Sequence, residues 1–214
     1  MSDRRRAFDA GLERLTGEVF AAHPELRDHR ADFGWLTGCL GDPCADVWLI
    51  AENPSLTQVR KAQAATVESQ WSVSPGDLIL RDALVSAGLK EGGPLEPGGW
   101  KCWITDVIKS ADIVVEWRAT PLERQRTIAE AWAPVLRYEL EQGRPKQIIV
   151  LGGKADGLLK HLEKKRLLPP LPPRTRIHHY SYIGSRPDGA GRGPGHPERV
   201  AEWTDGLAEA ARVE

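Results

Sequence analysis

Short apolar runs alternate along this chain with segments of helical periodicity, and polar or Gly/Pro-rich stretches separate them. Four runs have the length and unbroken apolar character of strands covered on both faces: DVWLIA (46–51), CWITDVI (102–108), QIIVLG (147–152) and TRIHHY (175–180). Ser74 followed by Pro75 predicts a helix start, with a stop near Gly88; Thr120 and Pro121 open another that ends near Gly143. Two more are predicted, from about Lys154 to Arg166 and after His196-Pro197, and the first residues, MSDRRRAFDAGLERL, read as an amphipathic helix. PPLPP (169–173) cannot be helical and predicts an extended spacer, while the Gly- and Pro-rich stretch from Gly184 to Pro197 predicts a mobile surface loop. Strands alternating with helices predict an α/β fold, a central, mainly parallel four-stranded sheet in a three-layer αβα sandwich.

Length changes this picture little: 214 residues suit one domain, with residues 1–45 as a helical segment packed on it. No apolar run approaches the roughly 20 residues of a membrane-spanning helix, and the basic N-terminus leads into an amphipathic pattern, not a signal peptide. A cytoplasmic monomer without a membrane partner is expected. Cys39, Cys44 and Cys102 are odd in number and lack a metal spacing, so a disulfide framework and a structural zinc site are not expected. Net charge is −1, which gives nucleic-acid binding no general support. Its distribution is more telling: from Arg144 to Arg176 the only acids are Asp156 and Glu163, against nine Lys or Arg, enough for one basic face or for a solvated helix surface.

Ligands of an open parallel sheet bind beyond the carboxyl ends of its strands. The predicted strand ends carry Ala51-Glu52-Asn53-Pro54-Ser55, Thr105-Asp106-Val107-Ile108-Lys109 and His178-His179-Tyr180-Ser181-Tyr182, which together hold acids, an amide, a base and hydroxyls. Asn-Pro by itself is an ordinary turn starter, and paired histidines at a strand end are commonly structural. Gly152-Gly153-Lys154 lacks the full phosphate-loop pattern and reads as a tight strand-to-helix turn.

AENPS (51–55), ITDVIKSAD (104–112) and HYSYIGSR (179–186), in this order and with IIVLGGKADGLL between the last two, resemble the motifs of the uracil-DNA glycosylase superfamily over roughly residues 46–210. The resemblance implies a hydrolytic, monofunctional DNA glycosylase that removes a flipped-out deaminated or damaged base, without metal or other cofactor, in base excision repair. It implies catalytic roles for Asn53 or Glu52, which would hold or activate a water, and for His179, which would hydrogen-bond the departing base. Pro54, Trp71, Asp106, Lys109 and Ser181 are the implied substrate contacts. Tyr182 or Ile183 is the implied wedge into the space left by the base, and Arg186 and Arg192 the implied phosphate contacts.

The chain also departs from that pattern. Ala51 stands for the usual Gly, Ser55 for Gly or Tyr, and Tyr180 for the Pro of a His-Pro-Ser motif. Asp106 occupies the position where many relatives carry Asn; an ionised carboxylate only accepts and would repel a uracil carbonyl, whereas a protonated one also donates. Uracil is therefore not assured as the preferred base. Two alternatives follow: a catalytically weak nucleic-acid-binding module of the same fold, and an enzyme acting on a free nucleoside or nucleotide. Three cysteines in this arrangement predict no iron-sulfur cluster.

Overall fold

The computed structural model describes residues 3–26, 28, 40–57, 74–96 and 98–212. Five strands, β1 (Leu40–Gly41), β2 (Val47–Ala51), β3 (Cys102–Asp106), β4 (Gln147–Leu151) and β5 (Arg174–Ile177), form one sheet in the order β1-β3-β2-β4-β5. The last four are mutually parallel, and β1 pairs antiparallel with β3. The sheet is therefore mixed, and the four-stranded expectation is corrected by an edge strand of two residues, too short to leave a periodic signal.

The helices among the described residues are α1 (Asp3–Ala22), α2 (Pro75–Ser86), α3 (Val114–Ala119), α4 (Leu122–Gly143), α5 (Gly153–Lys164), α6 (Tyr180–Ser185) and α7 (Pro197–Ala210). Local chemistry sets their starts: Ser74 accepts from the Asp77 N–H at the head of α2 with Pro75 in the first turn, and Pro197 takes the same place in α7. The α4 stop is less direct than its sequence suggests. The left-handed residue is Arg144, while Gly143 is needed because the Trp48 ring fills the space where a Cβ would stand.

Side chains of β2 alternate between two cores. Trp48 and Ile50 join Phe8, Trp103, Trp132, Leu136 and Leu159 under α1, α4 and α5. Val47, Leu49 and Ala51 join Leu80, Leu84, Ile183, Trp203 and Leu207 under α2, α6 and α7. Helices thus cover both faces, which is why the central strands read as unbroken apolar runs. Each fully buried large side chain contributes about 1.5–3 kcal/mol. Edge-to-face aromatic pairs, Phe8 on Trp103 (5.5 Å) and Phe20 on Trp132 (5.1 Å), fasten α1 to the sheet and to α4. No helix among the described residues is long and apolar enough to cross a membrane.

Candidate functional site

β2 is the first of the parallel strands, with β3 on one side of it and β4 on the other, so the connections leaving the carboxyl end of the sheet diverge here. Beyond that end lies a cleft of about 650 Å³. Its walls include Glu52, Asn53 and Pro54 after β2, Asp106 at the end of β3, Lys154 after β4, and His179 after β5.

The turn after β2 is clamped to the one after β3. Val107 and Ile108 N–H groups donate to the carbonyls of Ala51 (2.9 Å) and Glu52 (3.0 Å), and Asp112 N–H to that of Pro54 (3.2 Å), while Leu56 N–H donates to Asp112 O (3.0 Å). This zipper holds Glu52 and Asn53 at fixed heights on the cleft wall. Glu52 is fixed further by its side chain: Trp117 Nε1–H donates to Oε1 at 2.6 Å, and Lys154 Nζ lies 3.6 Å from the same oxygen. Asn53 is half-buried in the same wall, and its side chain has no hydrogen-bond partner among the described residues.

At the end of β3, successive side chains face opposite sides of the sheet and meet opposite fates. Thr105, Lys109 and Glu139 form a closed cluster: Lys109 Nζ donates to Glu139 Oε2, Thr105 Oγ1 and the Asp106 main-chain carbonyl, each at 2.5 Å, and Thr105 donates to Glu139 Oε1 at 2.8 Å. Lys109 is 0% exposed and does not line the cleft, so its expected place among substrate contacts is corrected: its three N–H donors are all taken inside the protein. Asp106 is 7% exposed and lines the cleft, and its carboxyl has no hydrogen-bond or ion-pair partner among the described residues. Burial pushes its proton affinity up, to a pKa of about 8; Lys109 opposes this, and Glu139 and Glu52 reinforce it.

β5 ends at Ile177, earlier than the expected 180, and His178 and His179 lead into α6, of which His179 is the N-cap. Ser181 N–H donates to His179 Nδ1 (3.2 Å), and Ser181 Oγ lies 2.8 Å from the same nitrogen. Nδ1 is therefore an acceptor, and the proton of the neutral ring sits on Nε2. Burial depresses the imidazole pKa to about 4, against the opposite pull of Asp77, so the ring is neutral near pH 7. Tyr180 stacks on it (centroids 4.2 Å apart). Burial and the hydrogen-bonded Asp77 raise the Tyr180 hydroxyl well above its usual range, keeping it protonated. Gly152, at φ +96°, completes the fit: a Cβ there would lie 3.3 Å from the His179 Cβ.

The structure separates the remaining predicted contacts. Ser181 lines the cleft and orients His179. Of the two wedge candidates, Ile183 is 5% exposed in the α2–α6–α7 core, which excludes it, while Tyr182 is 38% exposed, lines the cleft, stacks on His178 and lies beneath the Arg199 guanidinium. Arg186 reaches the cleft, and its side chain has no ion-pair partner among the described residues. Arg192 does not reach it, because Asp188 (2.7 Å) and Glu202 (2.7 and 2.9 Å) hold its guanidinium and raise its pKa. Asp188 also accepts from the Ala190 and Arg192 N–H groups, so the Gly-rich loop is cross-linked at its tip. Trp71 and Cys39 lie outside the described residues. Cys102 is buried, with its thiol pushed up to about 12, and Cys44 is exposed.

Several site residues escape a reading of the sequence. Asp77 had a signal, since Ser74-x-x-Asp77 is a capping-box spacing; Ser74 Oγ–H donates to its carboxylate at 2.5 Å. Lys154 had a weak one, as a cation just after a strand-end Gly-Gly. Trp117, on a helix of six residues, had none. The basic face is largely spent on neighbours: Lys146 pairs with Asp46, Lys160 with Asp156, Arg174 with Glu163 and Lys165 with Glu130.

These observations define an α/β protein with a mixed sheet covered by helices on both faces and a polar cleft at the carboxyl ends of its parallel strands. No protein-family model matches the chain, and no curated protein matches it by sequence.

Proposed function

We propose that the chain is a monofunctional, hydrolytic DNA glycosylase of uracil-DNA glycosylase-like three-layer architecture, removing a deaminated or damaged base that enters the cleft out of the helix. The observation that carries this reading is the convergence in one cleft of a fixed carboxylate (Glu52), an amide (Asn53) and a neutral imidazole with its N–H on Nε2 (His179). Cleavage of an N-glycosidic bond sends the bonding electron pair to the base and leaves a cationic sugar. His179 Nε2–H donates to a carbonyl oxygen of the departing base as negative charge grows there. Being uncharged, it does so without first losing a proton. Glu52 faces the sugar, stabilises its positive charge and accepts a proton from the attacking water, which Asn53 orients; the water oxygen bonds to the anomeric carbon, and the base collects its proton from solvent. Arg118, Lys154 and Arg186 line the cleft and supply phosphate contacts that position a strand without reading its sequence.

The test is base release from single- and double-stranded oligonucleotides carrying uracil, hypoxanthine, xanthine, mismatched thymine and alkylated bases, detected as alkali-labile sites. His179→Ala and Asn53→Ala are expected to lower the rate about 10²–10³-fold and about 10²-fold with the fold intact. No release from any substrate by the wild type, with salt-sensitive binding retained, would favour the binding-module reading instead.

A further inference from the structure

The cations that line the cleft are not equivalent. Arg118, beside Trp117 on α3, and Arg186, at the end of α6, have no ion-pair partner among the described residues. Lys154, in the first turn of α5, has one, and it is Glu52, with Nζ 3.6 Å from Oε1. The same oxygen accepts from Trp117 Nε1–H at 2.6 Å, while Oε2 has no hydrogen-bond partner among the described residues. These two contacts differ in what it takes to break them. Trp117 is 5% exposed, and Gln125 fixes α3 behind it by donating from α4 to the main-chain carbonyls of Trp117 and Thr120, each at 3.1 Å. The Lys154 side chain is 51% exposed on a flexible stem, and its distance to Glu52 exceeds that of a hydrogen bond. A pair so long and so open to water is weak. The indole contact is a fixture, and the ammonium contact is exchangeable.

The exchangeable contact also works against the chemistry proposed for the site. A carboxylate stabilises a cationic sugar by its negative charge, and an ammonium beside it cancels much of that field. A phosphodiester brings one negative charge of its own and competes for the ammonium. Once Lys154 is held by phosphate, Glu52 keeps only the neutral indole N–H, and its charge acts on the sugar.

We infer that Lys154 is a specificity-determining residue that passes from Glu52 to a backbone phosphate when a strand enters the cleft, so that only a substrate carrying phosphodiesters releases the carboxylate. The substrate class this selects is a base within a nucleic-acid strand, against the free nucleoside, which brings no anion to take the ammonium. The inference rests on the proposed function in giving Glu52 its place at the sugar; the transfer of Lys154 needs only a strand in the cleft.

The experiment is binding of a labelled single strand to the whole protein, followed by fluorescence anisotropy at several salt concentrations, for the wild type, Lys154→Met, Lys154→Arg and Glu52→Gln. Lys154→Met is expected to weaken binding at least about threefold and to reduce the slope of log K against log salt by about 1, and Lys154→Arg to retain the slope. Glu52→Gln, which removes the competitor, is expected to tighten binding at least about threefold with the slope unchanged, because the phosphate contact is already made in the wild type. An unchanged slope in Lys154→Met, or a slope raised by about 1 in Glu52→Gln, would mean that the ammonium stays on Glu52 and would overturn the inference. Inorganic phosphate is the competitor that separates a strand from a small anion: displacement of the strand by less than about 1 mM phosphate would overturn the assignment to a strand. Where base is released, Lys154→Met is expected to raise KM for a strand with kcat within about twofold, and to raise kcat/KM for a free nucleoside at least about threefold. The two proposals fail separately. The change of slope without base release removes the glycosylase and leaves Lys154 as a strand contact taken from Glu52; base release with no change of slope keeps the glycosylase and ends the transfer.

Discussion

Two buried polar groups stand next to one another at the end of β3 and teach opposite lessons. Thr105 faces α4 and joins Lys109 and Glu139 in a cluster in which every charged group has its partner. Asp106 faces the cleft and has none among the described residues. Both sit in low-dielectric surroundings where an ion without a counterpart is costly. The first solves the problem within the chain and so pins β3 to α4. The second opens on the cleft, and its burial raises its proton affinity so that it holds a proton near neutral pH. A charged residue near a cleft is thus not evidence of function by itself; what counts is whether the protein has already used its hydrogen bonds.

The largest effect expected from this contrast lies on the closed side. Lys109→Met leaves Glu139 fully buried without its cation, and breaking such a pair from one side costs about 3–5 kcal/mol. Urea or thermal unfolding is expected to show that loss, at about 2–4 °C of Tm per kcal/mol for a chain of this size. The double variant Lys109→Met/Glu139→Leu is expected to recover most of it, since replacing the whole pair by apolar groups removes the orphan. A Lys109→Met protein as stable as wild type would end the structural assignment of this lysine and reopen it as a ligand contact.

On the open side the expected sign reverses. Between the ordinary aspartate value of 3.8 and about 8, native Asp106 holds a proton that the unfolded chain has released. Native stability therefore falls as the pH rises through that window, and the contribution is fully present only below the lower value. Asp106→Asn does not titrate, so it is expected to stabilise the protein relative to wild type by on the order of 2 kcal/mol near pH 8, and by less near pH 4. Thermal melts at the two pH values measure it. His179 acts at the acid end with the opposite slope: its value is depressed from 6.5 to about 4, so its contribution to stability is lost as the pH falls through that range. If function needs both neutral groups, its pH profile is flat between limbs near 4 and near 8.

How much of this was legible in the sequence follows the same division. The three central strands, the Ser74-Pro75 and His196-Pro197 helix starts and the Gly152 turn were readable because each rests on a local rule: an apolar run, a cap, a tight turn. So was the gathering of Glu52, Asn53, Asp106 and His179 at one rim, since parallel strands put their ends on the same side. What the sequence did not disclose was partnership. Nothing in ITDVIK says that Lys109 turns inward to Glu139, 30 positions away, while Asp106 turns outward. HYSYIGSR, read as strand and loop, is in fact a short helix that buries Ile183 and leaves Tyr182 at the surface, because a helical register turns neighbours to different sides. Trp117, which orients Glu52, is 65 residues from it in the chain and was invisible for the same reason.

The smallest expected effect carries the contrast to two arginines, Arg186 in the cleft wall and Arg192 outside it. They are alike in sequence: both follow His179 and both lie in the Gly- and Pro-rich stretch from Gly184 to Pro197. They differ in partners, because Asp188 and Glu202 hold the Arg192 guanidinium, whereas that of Arg186 opens on the cleft without an ion pair among the described residues. A phosphate contact neutralises one backbone charge and releases its counterion, so its loss weakens binding uniformly across sequences and reduces the slope of log K against log salt by about 1. Arg186→Gln is expected to give that reduction in fluorescence-anisotropy titrations with a labelled single strand at several salt concentrations. Arg192→Gln is expected to leave the slope unchanged, because Asp188 and Glu202 already hold its guanidinium. Equal loss of slope in both variants would mean that Arg192 leaves Asp188 and Glu202 for the strand, and that partners within the chain are no guide to which cations meet a ligand.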